Sequence, residues 1–190
     1  MRQELLDTWF ADGPDSFRMA WFARDDAFDA MLRARFGHAL LPAREGALDG
    51  WLSDAKGALA LLLLLLDQLP RNLHRGTAEA FASDAKARAA AREAIFTHRH
   101  HHALTPVEQT FLFLPFEHSE SLADQELSVA LFEGLRHDPR LGGPGGAVDY
   151  AWRHLDVIRR FGRFPHRNKA LGRADTAEES AYLAEPGAGF

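Results

Sequence analysis

The longest apolar run of the chain, "ALALLLLLL" from Ala58 to Leu66, most strongly limits the folds that the chain can adopt. The run is nine residues long, whereas a helix needs about 20 apolar residues to cross a bilayer. Because leucine and alanine favour helix and every face of this helix would be apolar, other elements must surround it. The run therefore predicts a central, buried helix and no membrane span.

Helical patterns recur along the chain, and the alternating pattern of strands is nearly absent. Thr105 and Thr176 each begin a T-x-x-E capping box, which is typical of a helix start. The pattern predicts helices at 2–10, 25–36, 54–67, 77–97, 106–114, 120–136, 147–161 and 175–184, with ends placed to within about two to four residues. We expect one all-α domain over residues 1–190, with about eight or more helices around the apolar helix.

The composition excludes several functional classes. The 190 residues contain no cysteine, which excludes disulfides, thiolate metal sites and cysteine nucleophiles. The start, "MRQELLDTWF", lacks the apolar run of a signal peptide, so we expect a cytoplasmic protein. The net charge of −5 and the lack of a recognised binding motif disfavour nucleic acid as a partner.

One basic segment stands in this acidic chain. Residues 152–173 hold seven Lys and Arg against one Asp, which leaves fifteen basic and twenty-six acidic residues elsewhere. Within it, "RFGRFPHRN" (160–168) interleaves arginines with Phe161 and Phe164. These phenylalanines favour a partly buried arrangement, in which guanidinium groups need carboxylate partners. The arginines either join helices through carboxylates or leave room for one bound anion.

Acidic residues that suit these arginines occur at two places. Asp67 ends the apolar helix, where the helix dipole disfavours a negative charge, so we expect a cation beside it, with Arg71 and Arg75 nearby in sequence. Several more acids lie within "LPFEHSESLADQE" (114–126). There, Glu120 and Asp124 form a like-charge helical pair if the helix starts before Glu120, or Ser121 caps the helix with Asp124. Both alternatives stay open, as does a purely structural ion-pair network.

The histidine tract "HRHHH", His98 and His100–His102, is a weak metal signal, because consecutive histidines do not converge on one ion without a folded loop. The sequence also lacks H-E-x-x-H, E-x-x-H, P-loop and G-x-S-x-G motifs. We therefore expect no metal site and no cofactor.

Several long motifs together resemble one family: "LLLLDQLPRN", "RGTAEAFASD", "FLFLPFEHSESLADQE", "FGRFPHRN", "LGR" and "TAEESAYL". By these motifs the chain resembles an uncharacterised bacterial family, domain of unknown function 924, over nearly its whole length. The resemblance implies an all-helical fold related to the tetratricopeptide-like superfamily, and it implies no established activity. The motif residues are mostly polar and include Asp84 and, with the exception of Arg160, those of the site predicted next.

The polar residues of three distant segments predict a shared site, a buried polar pocket. Its predicted ligand-binding residues are Asp67, Gln68, Arg71, Asn72, Arg75, His118, Ser119, Glu120, Asp124, Gln125, Arg160, Arg163, His166, Arg167 and Asn168.

Three functions compete for this site. The first is binding of a small anionic molecule or a peptide carboxylate by the arginines. The second is an enzyme that uses His118 or His166 as acid or base beside Glu120 or Asp124, although no nucleophile is evident. The third is an adaptor for a protein partner, which rests on fold analogy alone. Whether the protein is an enzyme is left open by the sequence.

Overall fold

A computed structural model describes residues 1–18 and 21–189, and of Leu63, Leu64 and Leu65 only the backbone. The described residues contain helices and no strand, which confirms the all-α class. The α-helices are α1 (Arg2–Trp9), α2 (Asp26–Phe36), α3 (Leu40–Arg44), α4 (Ala55–Ala60), α5 (Gln68–Leu73), α6 (Asp84–Arg92), α7 (Pro106–Glu117), α8 (Leu122–Glu133), α9 (Ala147–Phe161) and α10 (Ala177–Leu183).

Short 3₁₀-helical and π-helical turns connect these α-helices. Turns of 3₁₀-helix lie at Gly37–Ala39, Asp49–Ser53, Ala78–Phe81, His100–Ala103 and Pro165–Arg167, and π-helical turns lie at Leu61–Asp67 and Glu93–Thr97. The helix predicted over 77–97 is therefore divided into a 3₁₀ turn, α6 and a π turn. Helix α3 and the continuation of the apolar helix into α5 are absent from the sequence-based prediction.

The Leu-rich segment is the centre of the core, as predicted. α4, the π-helical turn and α5 follow one another without a break from residue 55 to 73. Leu59, Leu61, Leu62 and Leu66 are fully buried, and the π-helical turn packs against α3, α6 and α7. No helix of the described residues is long and apolar enough to cross a membrane.

Two helix starts form as the capping boxes predict. The Thr105 hydroxyl accepts a hydrogen bond from the Glu108 amide, and the Glu108 side chain accepts one from the Thr105 amide. Thr176 and Glu179 make the same reciprocal pair at α10. Each box satisfies two amides that have no partner within their helix.

The start of α8 shows how Glu120, Ser121 and Asp124 are arranged, for which the sequence leaves two possibilities open. The helix begins at Leu122, so Glu120 precedes it and forms no helical pair with Asp124. Ser121 occupies the N-cap position, but its side chain makes no capping bond. Ser119 substitutes for it, because its hydroxyl accepts from the Ser121 amide (3.2 Å) and donates to Asp124 (2.8 Å).

Candidate functional site

Asp67, at the end of the π-helical turn, is a buried carboxylate that three side chains contact. Its oxygens lie 2.7 Å from His118 Nδ1, 2.7 Å from Gln68 Nε2 and 3.0 Å from a terminal nitrogen of Arg71. Burial alone would raise the pKa of Asp67, but Arg71 and His118 outweigh it and hold that pKa well below its usual range. Asp67 is therefore charged at neutral pH, and the cation that the helix end demands is Arg71.

Asp84 links the basic segment to Asp67 and the side chains that contact it. Arg71 donates to both oxygens of Asp84 at 3.1 Å, and Arg167 lies 3.5 Å from one of them. Arg167 also donates to the His118 carbonyl at 2.9 Å. The guanidinium groups of Arg71 and Arg167 lie over the Phe81 ring, 5.7 and 4.8 Å from its centre. We call Asp67, Gln68, Arg71, Asp84, His118 and Arg167 the central cluster.

Arg167 is held in an environment that disfavours its charge. Only 6% of its side chain is exposed, and burial together with the nearby Arg71 charge lowers the pKa of Arg167 to about 10. Its buried Nε has no hydrogen-bond partner among the described residues. An unpaired buried donor of a charged group is costly, so this atom is the least satisfied point of the central cluster.

The histidines of this region are held neutral. Burial lowers the pKa of His118, although Asp67 opposes that shift. Partial burial and the neighbouring Arg167 lower the pKa of His166 below its usual range, although the residue as a whole is exposed. The ring of His166 packs 5.5 Å from that of Phe164.

Glu117 and His154 lie on the other side of His118. The Glu117 Oε1 is 3.2 Å from His154 Nδ1, which donates to the Tyr150 carbonyl at 2.8 Å. The rings of His118 and His154 are 6.2 Å apart. Burial and then the charge of Asp67 raise the pKa of Glu117 well above its usual range, and burial lowers the pKa of His154 well below its own.

Asn72 and Arg75 belong to a separate group around Asp29 of α2. Asn72 donates to Asp29 at 2.7 Å, and Arg75 donates to both of its oxygens at 2.6 and 3.1 Å. Burial would raise the pKa of Asp29, but the hydrogen bonds from Arg75 and Asn72 lower it. These contacts hold α5 against α2.

Glu120 is satisfied by Arg173 and by backbone. Arg173 donates to its two oxygens at 2.8 and 2.9 Å, and the Phe164 amide donates at 2.8 Å. Asn168 accepts from Arg173 at 2.9 Å and donates to Asp175 at 2.7 Å. Glu120 and Asn168 thus fold the chain after α9 onto the start of α8.

Three predicted residues stabilise the turn between α7 and α8. Asp124 pairs with Arg92 and, at 3.5 Å, with Arg88 of α6. It also accepts from Ser119. The Gln125 amide donates to the carbonyls of Glu117 and Ser119, both at 2.6 Å. These residues position the His118 turn rather than face the arginines of the basic segment.

The remaining two arginines bind the last helix. Arg163 donates to both oxygens of Glu179 at 2.6 and 2.7 Å and to the Ala174 carbonyl at 3.0 Å. Arg160 lies over the Phe161 ring and donates to Glu178 at 2.8 Å. We call the pairs Arg160–Glu178 and Arg163–Glu179 the C-terminal pairs.

Of the predicted site residues, the structure therefore brings Asp67, Gln68, Arg71, His118 and Arg167 into direct contact, with His166 beside Phe164. Four side chains of this region were absent from the predicted set: Asp84, Glu117, His154 and Arg173. Asp84 and Arg173 lie within the motifs "RGTAEAFASD" and "LGR", which is the signal that could have found them.

Two surface cavities lie away from the central cluster. An open groove of about 860 Å³ is lined by residues of α1 and α2, including Glu4, Phe28 and Arg35. A smaller cavity of about 190 Å³ includes Arg44, His74 and Glu79. Neither cavity is lined by a residue of the central cluster.

Comparison with known proteins extends over nearly the whole chain. The family model described as "Bacterial protein of unknown function (DUF924)" matches residues 5–187. The solved structure of a protein of unknown function, ATU0120 from Agrobacterium tumefaciens, is 42% identical, covers 96% of both chains and superposes with a TM-score of 0.85. No curated protein matches the chain. With its fold, its motifs and this extent of similarity, the chain belongs to the DUF924 family of bacterial proteins of unknown function.

Proposed function

We propose that the protein binds a small anion, a carboxylate or a phosphate, at the central cluster. The observation that carries the proposal is the buried Arg167 Nε, which has no hydrogen-bond partner among the described residues and belongs to a guanidinium that shares Asp84 with Arg71. Guanidinium groups recognise carboxylate and phosphate through paired hydrogen bonds, and a second anion would satisfy the atom that Asp84 leaves unpaired.

The exposure of the cluster supports access for a small ligand. Asp67 is buried, with 1% of its side chain exposed, whereas the side chains of Arg71, His118 and Asp84 are 18%, 14% and 13% exposed. The exposed edge of the cluster therefore carries Arg71, the His118 ring and the Asp84 carboxylate, and the fixed charge of Asp67 lies behind them. An anion at this edge would bind to the Arg71 guanidinium and would not approach the Asp67 carboxylate directly.

An acid–base enzyme is the second candidate, and one contact favours it. Asp67 holds His118 through Nδ1 at 2.7 Å, as an orienting carboxylate holds a catalytic imidazole, and this leaves Nε2 to take or give a proton. The carboxylates named for this role from the sequence, Glu120 and Asp124, pair with arginines instead. Asp67 therefore replaces them as the partner of His118 in this candidate function.

Three further expectations stay predictions. A relation to the tetratricopeptide-like superfamily rests on the family resemblance, a role as an adaptor rests on fold analogy, and a cytoplasmic location rests on the start of the sequence. An adaptor would co-purify with one defined protein, and the exchange of residues in the central cluster would leave that complex intact.

A thermal-shift experiment with matched arginine variants tests the anion proposal. Wild type, Arg167→Met and Arg163→Met are heated with inorganic phosphate, citrate and nucleotides. At a hundredfold excess over Kd, a ligand stabilises by about 2.7 kcal/mol, which for a chain of this size raises Tm by about 5–10 °C. We expect that rise in wild type and Arg163→Met and its loss in Arg167→Met. No rise with any anion, or equal loss in both variants, would contradict the proposal.

A further inference from the structure

Three potential metal ligands meet beside the central cluster although they are not arranged in a sequence motif. Glu117 and His118 end α7, and His154 lies in the middle of α9. One carboxylate oxygen of Glu117 and one ring nitrogen of each histidine all lie within 4.8 Å of one another. The packing of α7 and α9 thus brings together one carboxylate and two imidazoles.

The buried carboxyl group of Glu117 is the feature that points to a bound cation. Only 5% of its side chain is exposed, and its Oε2 has no hydrogen-bond partner among the described residues. The neighbouring charge that acts on Glu117 is Asp67, which has the same sign. A buried carboxyl group beside a second carboxylate needs a positive charge or a proton, and the imidazoles of His118 and His154 are uncharged ligands of the kind that divalent ions bind.

The surroundings already hold both imidazoles in place. Asp67 binds Nδ1 of His118 at 2.7 Å, and the Tyr150 carbonyl accepts from Nδ1 of His154 at 2.8 Å. Metal-binding histidines commonly use the other ring nitrogen for this kind of hydrogen bond, to a carboxylate or a backbone carbonyl. Asp67 is such a partner for His118, whereas Nδ1 of His154 lies 3.2 Å from Glu117 Oε1 as well as 2.8 Å from the Tyr150 carbonyl.

We propose that Glu117, His118 and His154 bind one divalent transition-metal ion, for which Zn²⁺ is the best match. Two imidazoles and one carboxylate are a zinc ligand set that leaves a fourth position for water or another ligand. Mg²⁺ and Ca²⁺ prefer oxygen ligands throughout. In zinc sites the metal–ligand bonds are about 2.0–2.2 Å, so the ligand atoms close in around the ion on binding.

This inference goes beyond the proposed anion binding and does not depend on it. It departs from the expectation of no metal site. The sequence shows no metal motif here because Glu117 and His118 are adjacent and His154 comes from another helix. The histidine tract is a different feature. His98 and His100–His102 are solvent-accessible to different degrees and could bind Zn²⁺ weakly on their own.

Zn²⁺ binding by full-length protein with and without the tract tests the proposal. The four tract histidines are replaced together (His98→Ala, His100→Ala, His101→Ala and His102→Ala), and chelator-treated protein is titrated with Zn²⁺ by calorimetry and with Co²⁺ by visible absorption. We expect one ion per chain in this tract variant. Adding Glu117→Gln, which keeps the shape of the side chain, should weaken binding about 100-fold or more, since the loss of a supporting residue alone costs 10–100-fold.

The controls make each outcome decisive. Far-UV circular dichroism checks that each variant is folded, and His154→Gln replaces Glu117→Gln if the latter does not fold. Absence of one-to-one binding in the tract variant would overturn the proposal, and so would equal affinity in a folded ligand variant. The phosphate response is measured on the metal-free protein, so failure of the metal site and failure of anion binding are distinguishable.

Discussion

Arg163 and Arg167 lie four residues apart in the same basic segment and have opposite surroundings. Arg167 is 6% exposed, contacts Asp84 and the His118 carbonyl, and lies over two phenylalanine rings. Arg163 is 28% exposed and binds Glu179 of α10 through both oxygens. Arg167 ends the 3₁₀ turn Pro165–Arg167, in which Pro165 and Arg167 are buried. Residue type alone therefore does not tell which arginine belongs to the central cluster.

The comparison also separates two kinds of ion pair. The central cluster buries charges that are expensive to leave unpaired, so removing one partner there has a large effect. Of the C-terminal pairs, Arg160–Glu178 is largely open to water, where ion pairs contribute about 0–1 kcal/mol, and Arg163 of the other pair is 28% exposed although its partner Glu179 is buried. The following predictions, in order of decreasing effect, test this difference.

The largest effect is expected for Asp67→Asn. This change leaves Arg71 with one fewer charged partner and weakens the contact with His118 in a buried environment, so the free energy of unfolding should fall by about 3–5 kcal/mol. Urea denaturation measures it. The control Asp156→Asn alters a side chain that is 72% exposed and should change stability by less than about 0.5 kcal/mol. A loss of under about 1 kcal/mol for Asp67→Asn would remove the distinction between the two kinds of pair.

Arg167→Met should have an intermediate effect. Asp84 keeps Arg71 as a partner, so the change loses the hydrogen bond to the His118 carbonyl and the stacking on Phe81 and Phe164. We expect a loss of about 1–3 kcal/mol in urea denaturation. Arg163→Met is the matched variant, and it should destabilise the protein less. A larger loss in Arg163→Met would reverse the comparison.

The Arg163–Glu179 pair should make the stability of the protein depend on pH. The hydrogen bonds from Arg163 and then from the Thr176 amide lower the pKa of Glu179 to about 2. Because the folded-state pKa lies below the ordinary value, this pair stabilises the protein above about pH 4.5 and loses its effect as the pH falls towards 2. NMR of the Glu179 carboxyl carbon measures the titration. In Arg163→Met its pKa should rise towards the ordinary value, and an unchanged pKa would contradict the assignment.

Arg160→Ala should have the smallest effect. Arg160 and Glu178 are 47% and 62% exposed, and exposed pairs of this kind contribute at most about 1 kcal/mol. The free energy of unfolding should change by less than about 0.5 kcal/mol at ordinary salt. A loss above about 1.5 kcal/mol would place Arg160 among the structurally critical charges.

The sequence predicts the fold well where local chemistry decides it. The Leu-rich run gives a central helix because no face of it tolerates water, and Thr105 and Thr176 start helices because their capping boxes satisfy amides locally. Helix α3 has no such signal, since it is five residues long and contains Pro42. The π-helical turns arise from packing, which no short sequence pattern encodes.

The site is predictable in part only, because its pairings join distant helices. Asp67 next to a helix end and Arg71 four residues later follow from local rules. That Asp84 bridges Arg71 to Arg167, and that Arg163 binds Glu179, depends on how α6 and α10 pack. Glu117 lies within the motif "FLFLPFEHSESLADQE" and His154 in none of the motifs, and their meeting is decided by the packing of α7 and α9.

The Nε–H resonance of Arg167 during a titration with inorganic phosphate tests the central claim most directly, with Arg163 as the internal reference. The Arg167 Nε is unpaired among the described residues, and the Arg163 Nε donates to Glu179 at 2.6 Å. We predict that the Arg167 resonance shifts and saturates while the Arg163 resonance stays in place. An unchanged Arg167 resonance, or two resonances that shift equally without saturation, would contradict an anion site in the central cluster.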